Sequence, residues 1–168
     1  TTSRSIRSVL ERIAKYGNLY LSLTGLCYSS TLLAGVEIAD VIAERIDVHL
    51  LAHQRRVGMI LRDEVFAPSE SSLINLTYRI EGELAPTLQR LDFLFSNAAQ
   101  LEDTICVLEH FYESTLNTGS SIRSVERDML WSCLERVIYV LTSWAFSGSD
   151  ALEHFEGSFF HHTGENSD

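Results

Sequence analysis

The feature that most constrains this chain is the stretch of residues 31–66, which contains no proline. Apolar residues recur in it at steps of three and four, the spacing of one face of an α-helix. They are Ala39, Ile42, Ile46, Leu50, Val57 and Ile60, with His53 in the same row. The pattern predicts one long helix over residues 31–66 with this apolar row buried.

Two more rows of side chains lie on other sides of this helix. The acidic row consists of Glu37, Asp40, Glu44 and Asp47, and the second apolar row of Val41, Val48, Ala52 and Met59. Because a helix with two apolar sides normally contacts two neighbours, we expect a central helix or one that also meets a second subunit. The acidic row is either a solvated surface or a site for a basic protein partner.

Composition places the whole chain in the all-α class. Two prolines and nine glycines in 168 residues favour long helices over a many-stranded sheet. We expect an antiparallel bundle of five to six helices with residues 31–66 as the long central member. The single domain spans residues 1–160, and residues 161–168 form a flexible tail. Elsewhere we expect a third helix over 71–95 bent at Pro86 and a fourth over 97–116.

The net charge of −10 bears on the class of partner. An acidic surface repels phosphate backbones, so we expect no nucleic-acid partner and no attraction to anionic membranes. Residues 16–36 contain no charged residue and are about long enough to cross a bilayer. Polar residues and three glycines dilute this stretch, which favours a helix buried in the bundle over membrane insertion.

Three widely separated cysteines, Cys27, Cys106 and Cys133, each lie among apolar residues. An odd number without a basic neighbour favours reduced thiols in the core over a disulfide or a nucleophile. The expected compartment is therefore the cytoplasm.

The sharpest metal signal is the pair His49 and His53, one helical turn apart. Only apolar residues lie between them, so the zinc-protease pattern is missing. The alternative is a buried His53 with His49 at the edge of the apolar face. Phosphate loops, nucleophile elbows and Cys-x-x-Cys pairs are missing as well, so we expect neither catalytic residues nor a cofactor.

The last third of the chain is rich in aromatic residues: Trp131, Tyr139, Trp144, Phe146, Phe155, Phe159 and Phe160. Core packing is the expected role of most of them. The adjacent Phe159 and Phe160 cannot both face one core, so one of them is expected to contact a partner.

We expect a non-enzymatic helical interaction or oligomerisation module, with a protein partner or a homo-oligomer formed through the acidic row, Val41, Val48, Met59, Phe159 and Phe160. The alternative is a regulatory domain that senses an apolar small molecule or a metal within the bundle.

Overall fold

The computed structural model describes residues 2–28, 38–66, 72–101, 103–117, 119 and 123–147. Within them the chain is helical and contains no strand, which confirms the all-α class. The α-helices are α1 (Thr2–Cys27), α2 (Ala39–Phe66), α3 (Ser72–Arg79), α4 (Ala85–Ala98), α5 (Thr104–Asn117) and α6 (Arg123–Ser147), and a π-helical turn (Ile80–Leu84) joins α3 to α4.

Helix α2 is the predicted central helix, but it begins later than expected. Ile38 is in a turn, and its carbonyl accepts the first helical hydrogen bond, from the Ile42 N–H at 3.0 Å. The helix therefore starts at Ala39 rather than at residue 31, and residues 29–37 lie outside the described part. Asp40 lies in its first turn, where a negative charge complements the helix dipole.

The neighbours of α2 explain its apolar face. It packs against α1, α3 and α6, and its residues Ile42, Ile46 and Leu50 are buried. Tyr20 of α1 stacks on His53, and His49 bonds to Asp128 of α6. These contacts place α2 between α1 and α6. They involve the main apolar side of α2, whereas Val48, Ala52 and Met59 of the second apolar row are exposed, so the expected second packed side is not found among the described residues.

The third helical segment carries a π-helical turn where the sequence predicted a bend. Pro86 is the second residue of α4 and cannot donate a backbone hydrogen bond to the preceding turn. The Ala85 N–H bonds to the carbonyl of Ile80, five residues earlier, so the helix is widened just before the proline. The sequence thus marked the place of the irregularity, whereas its π-helical geometry was not foreseen, and the bend itself stays a prediction.

The boundary between the third and fourth predicted helices was wrong. Helix α4 continues to Ala98, and α5 begins at Thr104 instead of at residue 97. Asp103 precedes α5, and its Oδ1 accepts a hydrogen bond from the Ile105 N–H at 3.0 Å. A capping aspartate satisfies a free N–H at the start of a helix, so Asp103 selects this start.

The core is built from all the long helices. Its buried apolar side chains include Leu23 of α1, Ile46 and Leu50 of α2, Leu91 and Phe95 of α4, Phe111 of α5 and Met129 and Cys133 of α6. All three cysteines are free, but only Cys133 is fully buried. Cys27 is half-buried and Cys106 is exposed, which corrects the prediction of three core thiols. Among the described residues, no helix is long and apolar enough to cross a membrane.

Candidate functional site

Helix α6 exposes more large apolar side chains than a surface helix normally does. Val125, Met129 and Cys133 face the core, but apolar residues also occupy its other sides. We call the α6 face the four exposed side chains that share about 100° of the helix circumference: Trp131 (67% exposed), Ile138 (60%), Tyr139 (60%) and Phe146 (88%). Leu141 and Trp144 are also exposed but lie on other sides of α6. A helix that is apolar all round is normally covered all round, so the α6 face is a candidate interaction surface.

The α6 face corrects one expectation from the sequence. Trp131, Tyr139 and Phe146 were expected to pack mainly in the core, and the structure leaves them largely exposed. The reason is that α6 packs on α2 and α5 along one side only among the described residues. Phe155, Phe159 and Phe160 lie outside the described residues.

A groove between α5 and α6 adjoins the Trp131 end of the α6 face. It has a volume of about 780 Å³, and its walls include Tyr112 and Leu116 of α5 and Arg127 and Trp131 of α6. Tyr112 and Leu116 are exposed. The groove combines apolar side chains with the charged groups of Arg123, Arg127 and Asp128, in a chain whose net charge is −10.

The predicted partner residues on α2 are only partly accessible. Asp40, Glu44, Val48 and Met59 are exposed and Asp47 is half-buried. Val41, in contrast, packs against the core. Glu37 lies outside the described residues.

The two histidines of the predicted metal pair contact different helices. His49 Nε2 lies 3.1 Å from Asp128 Oδ2 of α6. The His53 ring stacks on Tyr20 of α1, with ring centroids 5.8 Å apart. Within the described part of the chain, no cluster of three or more His, Cys, Asp and Glu residues could hold a metal ion. The helical spacing is thus present, but the two side chains serve separate helix contacts.

A small pocket lies where α1, α2 and the π-helical turn meet, and we call it the π-turn pocket. Its volume is about 270 Å³. The lining consists of Ile13, Tyr16, Gly17, Tyr20, His53, Gln54, Val57, Ile80 and Leu84. Half-burial of His53 in these surroundings lowers its pKa, so the ring is neutral at pH 7. The pocket contains polar groups that can hydrogen-bond but no formal charge among these described residues.

A buried ionic network links α4, α5 and α6. Glu126 is 0% exposed, and its Oε1 accepts hydrogen bonds from Arg90 Nε and from Ser114 Oγ, the latter at 3.1 Å. Arg90 also donates to Ser114 and stacks over the Phe93 ring at 4.7 Å. This network was not predicted from the sequence. The available signal was Glu126 itself, which lies three and seven residues before Met129 and Cys133 on the buried side of α6.

Comparisons of the chain with protein-family models, with curated proteins and with solved structures found no match.

Proposed function

We propose that this chain is a non-enzymatic helical interaction module that forms a homo-oligomer through the α6 face. The observation that carries the proposal is the exposure of four large apolar side chains along one side of α6. Exposing such a surface to water costs free energy in proportion to its area, and association recovers it.

The size of the α6 face fits a protein interface. Its three aromatic side chains, at their observed exposures, present about 430 Å² of surface. A stable interface of ordinary size buries about 800 Å² on each partner. The aromatic residues alone would therefore supply more than half of the area required, and Ile138 lies among them.

A second copy of the chain is the occupant that best fits the charges around the α6 face. Arg127 adjoins Trp131 at one end, whereas Asp40 and Glu44 are exposed on the neighbouring helix α2. In a two-fold dimer each surface meets its counterpart, so one molecule provides both the basic and the acidic surface.

Two features of the sequence define the setting of this proposal. The three free cysteines suit a reducing compartment, which leads us to propose a cytoplasmic protein. The net charge of −10 supports a protein partner rather than a nucleic acid.

Sedimentation velocity over a range of protein concentrations tests the proposal. We expect the wild type to form a dimer or a larger oligomer. The double variant Trp131→Glu/Ile138→Glu should weaken association at least about thirtyfold, because replacing a central interface residue typically costs about 2 kcal/mol or more. The matched control is Ile74→Glu, an equally exposed apolar residue on α3, which should associate like the wild type.

Two results would overturn the proposal. One is a wild type that stays monomeric at every concentration. In that case the α6 face would either be covered by another segment of the same chain or stay exposed to solvent. The other is an oligomer that the double variant and the Ile74→Glu control form equally well.

A further inference from the structure

The π-turn pocket is formed by an interruption in a helix. Ile80 and Leu84, the first and last residues of the π-helical turn, both line it. A π-helical turn widens a helix and occurs frequently at functional sites. Pro86 accounts for the irregular hydrogen bonding, but it does not require a cavity beside the turn.

Ion pairs attach the π-helical turn to both helices that form the opposite walls of the pocket. Glu81 pairs with Arg12 of α1, and Glu83 pairs with Arg56 of α2. Each pair is exposed and contributes little to global stability. Their positions matter more than their energies, because together they hold the turn over the space between α1 and α2. The pocket is thus preformed, as small-molecule sites generally are.

The walls of the pocket favour a flat ligand. Tyr20 and His53 stack with an interplanar angle of 27°, which provides an aromatic surface. Gly17 leaves the α1 wall without a side chain, and a Cβ built there would meet nothing within 4 Å. An apolar cavity of about 150 Å³ accommodates benzene, so 270 Å³ is suited to about two fused rings.

The polar groups of the pocket favour a neutral ligand. The described lining contains no Asp, Glu, Lys or Arg, although the chain as a whole is strongly charged. Neutral His53 offers one N–H donor and one acceptor nitrogen, and Gln54 and Tyr16 offer further hydrogen-bonding groups. An ion would lose its hydration here without gaining a charged partner, whereas a hydroxyl group can replace its lost water with a single hydrogen bond.

We propose that the π-turn pocket binds a neutral aromatic molecule of about two fused rings that carries one hydrogen-bonding group, which His53 recognises. This site is separate from the α6 face, and its occupancy does not depend on oligomerisation.

The test uses two probes of the same shape, 2-naphthol and 2-methylnaphthalene, titrated into the full-length protein and followed by ¹H–¹⁵N NMR. Both should bind, with chemical shift changes centred on Gly17 and His53. The hydroxyl compound should bind about five- to tenfold more tightly, which is the effect of one additional hydrogen bond. His53→Phe should keep the binding of 2-methylnaphthalene and abolish this preference. If the variant keeps the preference, His53 is not the recognition group.

A pair of glycine variants locates the binding site. Gly17→Leu fills the pocket and should weaken binding of both probes at least about tenfold, since the side chain occupies the space of a ring. Gly58→Leu is the matched control, because Gly58 is also in a helix with open space around it but does not line the pocket. Leucine has a higher helix propensity than glycine at both positions, so both variants should fold. The proposal fails if the wild type binds neither probe, or if the two variants bind equally well.

Discussion

Replacing Glu126 by alanine tests the buried network between α4, α5 and α6. Glu126 is completely buried, and its carboxylate is the acceptor for both Arg90 and Ser114. The Arg90 side chain is only 21% exposed. Glu126→Ala would therefore leave a largely buried guanidinium group without its carboxylate, together with a small cavity.

The expected cost follows from the burial of both partners. Removing one member of a buried ion pair typically destabilises a protein by about 3–5 kcal/mol, because the remaining charge is left in a poorly hydrated position. A domain of this size has a total stability of about 5–15 kcal/mol, so the variant should lose a large part of it. The double replacement Arg90→Met/Glu126→Leu removes both charges and should cost much less than Glu126→Ala.

Urea unfolding followed by circular dichroism measures the effect. With a denaturant dependence of about 2 kcal/mol per molar urea, Glu126→Ala should lower the midpoint by about 1.5–2.5 M. The matched control is Glu11→Ala, which breaks the exposed pair between Arg7 and Glu11 and should change the midpoint little. If Glu126→Ala costs no more than Glu11→Ala, or if the double variant is the least stable of the set, our account of the network is wrong.

Two further predictions concern titration and reactivity. Burial lowers the pKa of His53 and of His110, the latter also through the positive charge of Arg90. Below about pH 6.5 the unfolded chain therefore binds protons that the folded chain does not, so the unfolding free energy should fall between about pH 7 and pH 5. His53→Phe should reduce that fall. An unfolding free energy that does not change with pH in this window would contradict the prediction. A thiol reagent should modify exposed Cys106 rapidly. Burial raises the pKa of Cys133 to about 12, so this thiol should react only on unfolding. Equal rates for the two thiols in the folded protein would contradict the structure.

Local patterns were sufficient to predict much of the framework. The spacing of Ile42, Ile46 and Leu50 defined the buried side of α2, because side chains three and four residues apart share one face of any α-helix. Pro86 marked the irregular point of the third helical segment for an equally local reason. The start of α5 was missed because the capping role of Asp103 competes with several other polar residues between residues 96 and 103.

The candidate sites were less predictable. His49 and His53 have the spacing of a metal pair, but spacing along a helix does not specify which neighbouring helix each side chain contacts. Val41, Val48 and Met59 form one row in the sequence, yet the packing of the bundle partly buries Val41 and exposes the other two. The π-turn pocket requires three elements to meet, so no single stretch of sequence contains it.

The sequence by itself determined that the chain is helical, that the third helical segment is irregular near Pro86 and which side of α2 is buried, since these depend on interactions within a few residues. The tertiary structure alone decided the surface on which the proposed function depends. Helix α6 is apolar on several sides, so its periodicity does not select one of them for burial. The positions of α2 and α5 make that selection, and they leave Trp131, Ile138 and Phe146 exposed.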